Sequence, residues 1–91
     1  MTIFIPTPLR QYVDGQSKIE VNAPSVRGAL DALTLDRPEL RKHLFNPEGK
    51  MRAFVNLYLN DEDVRYLPQK EDTAVTATDT LSIIPSIAGG D

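Results

Sequence analysis

Only one stretch of this 91-residue chain carries a helical apolar period of useful length, and prolines fence it on both sides. Between Pro24 and Pro38, the residues Val26, Leu30 and Leu33 fall at i, i+4 and i+7 with Ala29 beside them, which lines one face of a helix. Ser25 is placed to cap the first turn, and Pro38 biases the residue before it away from the α region, so the helix is expected over residues 25–35. One helix cannot bury its own apolar stripe, and the other apolar residues must provide a sheet to receive it.

Those residues come in short runs. Residues 2–5 are apolar and end at Pro6 and Pro8, which cannot donate to a β-ladder. Residues 18–21 alternate polar and apolar with period two after the turn signal Asp14-Gly15, so an opening hairpin is expected, with 6–17 as an unusually long connection. Leu40 and Leu44, at i and i+4, suggest a short helix over residues 39–45, and Asn46-Pro47-Glu48-Gly49 reads as a turn. Residues 54–59 are rich in aromatic and β-preferring types; a tight turn over 60–63 and a short strand over 64–66 follow. Residues 81–84 form the last strand, closed by Pro85. The order strand, strand, helix, strand, short strand, strand describes an α+β domain over residues 1–85, in which one main helix covers one face of a single sheet. Residues 86–91 are small, include two adjacent glycines, and are expected to form a mobile tail.

Composition narrows the function. Apolar residues make up 41% and charged residues 25% of the chain, which fits a folded globular domain and not a disordered one. A formal net charge of −3 offers no basic footprint for phosphate, so nucleic acid is not an expected partner. With no cysteine there is no disulfide, thiolate metal site or thiol catalysis, and any sulfur the chain handles must be borrowed. No apolar run approaches the roughly 20 residues of a membrane span, and the N-terminus lacks the basic and apolar regions of a signal peptide. A cytoplasmic protein without membrane contact is the expectation.

The Gly89-Gly90 pair after the last strand has a chemical use. Glycine offers almost no width and wide backbone freedom, so an extended tail threads a narrow channel and presents its carboxylate inside a partner enzyme. The run Leu81-Ser82-Ile83-Ile84-Pro85-Ser86-Ile87-Ala88-Gly89-Gly90 resembles the ending of the β-grasp (ubiquitin-like) sulfur carriers of molybdopterin, thiamin and cysteine biosynthesis. The similarity extends to Ile3-Phe4-Ile5-Pro6 with Leu9-Arg10, the helix start at Ser25-Val26, Phe54-Val55-Asn56, the acidic turn before Asp63-Val64-Arg65, and Asp79. Residues 54–65 are most similar to the branch that supplies sulfide to O-phosphoserine in a thiocarboxylate route to cysteine.

That resemblance implies a mixed sheet of four to five strands, with the first and last strands adjacent, and a reactive Gly90. An adenylating, ubiquitin-activating-type partner using ATP and magnesium would activate the Gly90 carboxylate, and a sulfur donor would convert it to a thiocarboxylate. The thiocarboxylate would attack an electrophilic carbon held by a pyridoxal-phosphate-dependent cysteine synthase, and a metalloprotease would release the product. The chain itself would bind no cofactor and would not be an enzyme. Alternatives within the resemblance are a molybdopterin or thiamin sulfur carrier and a ubiquitin-like modifier joined to lysines. The departure is Asp91: while it is attached, Gly90 has an amide carbonyl in place of a free carboxylate. Asp91 is expected to be removed by a protease; the alternative is a cloning remnant.

Other residues give weaker signals. Asp61, Glu62 and Asp63 lack the pattern of a calcium loop and read as a solvated turn, so no metal is expected, and His43 reads as a surface residue. If Val55, Leu57 and Leu59 face the helix, then Phe54, Asn56 and Tyr58 face away, and Ser82 and Ile84 do likewise in the last strand. Tyr58, Ile84 and the tail residue Ile87 are then the expected partner-binding patch.

Overall fold

The computed structural model describes residues 1–85. Five strands form one mixed sheet: β1 (Thr2–Phe4), β2 (Lys18–Glu20), β3 (Val55–Leu59), β4 (Glu62–Asp63) and β5 (Thr80–Pro85), in the order β2-β1-β5-β3-β4. The first and last strands lie side by side and parallel, with Phe4 opposite Ser82, while β3 runs antiparallel to β5 with Val55 opposite Pro85.

The main helix, α1 (Val26–Thr34), forms where the apolar period placed it. The Ser25 hydroxyl accepts the Gly28 N–H at 3.1 Å, satisfying one of the orphan donors of the first turn. Val26, Ala29, Leu30 and Leu33 are fully buried. They meet the inward side chains of the sheet, among them Ile3, Leu57, Leu81 and Ile83, in one core cluster. A second helix, α2 (Pro38–Leu44), starts at its proline and buries Leu40 and Leu44 in the same core.

Two local expectations are corrected. The connection over 6–17 contains a 3-10 helix, Thr7–Val13, that buries Leu9 and Val13. Its prolines hide it from pattern reading, yet Pro6 supplies the carbonyl that accepts the Leu9 N–H, and proline is tolerated in a first helical turn. The acidic segment is also paired earlier than its composition suggests. Asn60 and Asp61 both take positive φ, 50° and 76°, and close the hairpin in two residues, so Glu62 and Asp63 pair directly with β3. Val64–Tyr66, expected as a strand, is a 3-10 turn capped by the Asp63 carboxylate.

Asp79 ties the β3–β4 hairpin to the start of β5. Its carboxylate accepts the Asn60 side-chain amide at 2.8 Å and the Thr76 N–H at 2.7 Å, and Asn60 in turn accepts the Thr80 N–H. The Asn60 hydrogen bond, followed by the Thr76 N–H, holds the Asp79 carboxyl below its ordinary range. Because the folded-state value lies below the unfolded one, this contribution is present above about pH 3.9 and is lost as pH falls through the depressed value. Acid titration of the melting temperature should therefore show a smaller fall below pH 4 for Asp79→Asn than for the unaltered protein. An unchanged acid slope would remove Asp79 from this role. In the core, Leu81→Ala should cost about 2–5 kcal/mol in urea unfolding, a large share of the roughly 5–15 kcal/mol that a domain possesses.

Candidate functional site

The parallel β1 and β5 end at the same edge of the domain, and β3 begins there, so three segments meet where the chain leaves β5. Val55 is opposite Pro85, and the Val55 N–H donates to the Arg52 carbonyl at 3.1 Å. On the other side Arg10 Nε donates to the Ile5 carbonyl at 3.0 Å, which fixes the turn carrying Pro6 and Pro8. Ile87, Gly89, Gly90 and Asp91 lie outside the described residues.

The period-two alternation sorts the sheet into two faces. Val55, Leu57, Leu59, Leu81 and Ile83 are buried toward the helices. The opposite face carries a row fixed by register, in which Lys18 is opposite Phe4, Phe4 opposite Ser82, Ser82 opposite Tyr58 and Tyr58 opposite Asp63. One step toward the tail end, Ile84 is opposite Asn56. Ile84 is 48% and Phe4 43% exposed, Tyr58 is half-buried, and Phe54, just ahead of β3, is 44% exposed. Tyr58 and Ile84 thus share one face as diagonal neighbours across β3 and β5, a spacing that long side chains bridge.

Phe4 is the member of this patch that sequence reasoning missed. The signal was present, since Ile3 and Ile5 are buried and the residue between them must point outward. With Ile5, Pro6, Pro8, Ser82, Ile84 and Pro85 it lines an apolar groove of about 450 Å³ beside the end of β5.

Polar residues around the sheet are engaged structurally. The Arg65 guanidinium bonds both oxygens of Asp63, at 3.0 and 3.3 Å, and the Arg65 N–H donates to the same carboxylate. The side-chain contact, then the backbone one, lowers the Asp63 pKa. His43 Nε2 lies 2.8 Å from the Tyr12 hydroxyl, with the rings 4.8 Å apart, so it joins α2 to the 3-10 helix Thr7–Val13.

Comparison with known proteins gives this geometry a family. The ThiS family profile matches residues 3–90. The chain belongs to the ThiS family. The match covers the Gly89-Gly90 pair. The sulfur carrier protein CysO of Mycobacterium tuberculosis is 34% identical over 92 residues, covering 99% of this chain and 98% of that protein. Among solved structures, a chain of the Amycolatopsis orientalis BexX/CysO complex superposes with a TM-score of 0.85 at 35% identity, covering 98% of both chains. The small archaeal modifier protein 1 of Methanosarcina acetivorans reaches a TM-score of 0.87 at 21% identity, over 98% of this chain and 94% of that one, and so shares the fold. This ThiS-family protein is a ubiquitin-like β-grasp sulfur carrier. Among the described residues no helix is long and apolar enough to cross a membrane.

The two faces make a direct test available. Tyr58→Thr, which avoids setting a carboxylate opposite Asp63, and Ile84→Asp should each leave the ThiS-family domain folded, changing its unfolding free energy by about 1 kcal/mol or less, because both positions point away from the core. Unfolding of either variant at room temperature, read by circular dichroism, would mean that its side chain supports the core.

Proposed function

We propose that this protein carries sulfur for cysteine synthesis as a thiocarboxylate on Gly90, and that Asp91 must be removed before loading. The observation that supports this most strongly is the family match ending on Gly90, together with near full-length similarity to a sulfur carrier protein. A carboxylate is a poor electrophile. An adenylating partner using ATP and magnesium joins the Gly90 carboxylate to AMP and releases pyrophosphate; sulfide from a donor then forms the C–S bond as the C–O bond to AMP breaks. The acyl-bound sulfur stays nucleophilic without diffusing away. Its acceptor is an electrophilic carbon presented by a pyridoxal-phosphate-dependent cysteine synthase. The acyl group of the resulting thioester shifts from sulfur to the amino group of the new cysteine, and a metalloprotease hydrolyses the Gly90–cysteine amide so formed.

The domain's own part is to bind and to place. The apolar patch of Phe4, Tyr58 and Ile84 lies on the sheet face beside the root of the tail, so a partner that docks there holds the chain next to the segment it must process. A relative of this chain has been crystallised in a complex named for BexX and CysO, which supports protein docking as the working mode. We read the protein as a carrier without catalysis of its own: His43 is bonded to Tyr12, and Asp63 and Asp79 are bonded within turns.

Mass spectrometry tests the chemistry at the tail. Chain truncated after Gly90 should gain the mass of a sulfur-for-oxygen exchange when given ATP, the cognate adenylating enzyme and a sulfur donor. Chain retaining Asp91 should not, since its Gly90 carbonyl is an amide. Gly90→Val, made in the truncated chain, should block loading because a β-branched side chain widens and stiffens the segment, while the melting temperature stays unchanged. Thiocarboxylation on Gly90 with Asp91 still attached would refute the proposal.

A further inference from the structure

The charge of this acidic chain is distributed unevenly. Five of its ten Lys and Arg residues, Arg37, Arg41, Lys42, Lys50 and Arg52, lie between residues 37 and 52, against two carboxylates, Glu39 and Glu48. That segment is net +3 in a protein of net −3. The fold gathers Arg41, Lys42 and Arg52 around a groove of about 460 Å³ whose apolar lining comes from Pro38 and Pro47, with the buried Phe45 beneath Arg41 at its floor.

Two of the three cations are held in place by the chain. Arg41 stacks on Phe45 at 4.4 Å and bonds Asp31 at 3.2 Å and the Thr34 hydroxyl at 3.0 Å. Arg52 Nε donates to the Lys42 carbonyl at 2.8 Å, which fixes its guanidinium against the end of α2. Compensation by carboxylates is partial, since Arg41 is already paired with Asp31. Lys42 meets Glu39 only at 3.7 Å, both side chains being exposed, and Arg52 has no carboxylate within salt-bridge distance among the described residues. Cations already ordered lose little freedom when an anion arrives.

The groove also lies at the tail-bearing end, since Arg52 is bonded through its carbonyl to Val55, which is opposite Pro85. We propose that it is a second docking site, separate from the sheet face, for an acidic segment with an apolar side chain on a protein that acts on the tail. The cationic rim calls for carboxylates and the apolar lining for the side chain between them. A free phosphate or nucleic acid would leave that lining unused. The proposal rests on the carrier reading only for the partner's identity, and its test needs no sulfur chemistry.

The full chain, labelled with 15N, is titrated with a short peptide of glutamates around a leucine and a phenylalanine. Amide signals of Lys42, Phe45 and Arg52 should shift and those of Phe4 and Ile84 should not, with affinity weakening as salt rises. The double variant Lys42→Glu with Arg52→Gln should lose about tenfold in affinity while remaining folded, the sum of two partly exposed charge contacts. Lys42→Glu alone, which leaves the Arg52 anchor intact, should show part of that loss. Equal binding by a peptide with glutamines in place of the glutamates would overturn the proposal, as would tighter binding of ATP or pyrophosphate at these residues, or shifts confined to the sheet face.

Discussion

The fold depends on β5. It is the central strand, parallel to β1 on one side and antiparallel to β3 on the other, so within the sheet the β1–β2 and β3–β4 pairs are joined only through it. Its inward residues Leu81 and Ile83 are buried against the helices, and its start is held by the Asp79–Asn60 pair. A parallel pair requires a crossover, and here almost the whole chain between Phe4 and Thr80 forms it, including both helices. The contacts that close the domain are therefore long-range ones, and the strand that makes them also leads into residues 86–91, where the proposed chemistry would take place.

A two-residue period then divides the work. Residues of β5 that face inward supply stability, while Ser82 and Ile84 face outward with Phe4 and Tyr58. Core residues and the residues of the proposed docking face alternate along the same strand, so a one-residue slip would exchange them. Pairing with both neighbours prevents such a slip, because β1 and β3 fix the register independently.

How much of this could be read from the sequence differs by element. The α1 helix was legible because its apolar period, its Ser25 cap and its two bounding prolines all agree. The faces of β3 and β5 were legible because both strands alternate cleanly. The 3-10 helix Thr7–Val13 was not, since a short helix with two prolines at its start shows only Leu9 and Val13 as a pattern. The strand Glu62–Asp63 was hidden by its acidity, which pointed to a turn, whereas two positive-φ residues had already completed the turn. The tail chemistry came from family resemblance and not from physical pattern. The cationic groove escaped notice because Arg41, Lys42 and Arg52 are brought together only by the packing of the segment after α2 against its end.

Two prolines decide where the sheet stops at its functional end. The last pair between β1 and β5 is Phe4 with Ser82, and continuing that register would set Pro6 opposite Ile84. Pro6 has no N–H to donate, and neither has Pro85, the last residue paired with β3. The chain thus withholds donors at both positions from which the ladder would be extended toward Gly90. A β-rich segment at either place would favour further pairing and draw the adjoining residues into the sheet. Prolines cost little here, since both lie at strand ends, and they end the pairing of a fixed strand just before the segment that the proposed function hands to a partner. On the proposed reading, a Gly90 carboxylate placed beyond such a stop would let the domain be as stable as its core allows without opposing the transfer chemistry.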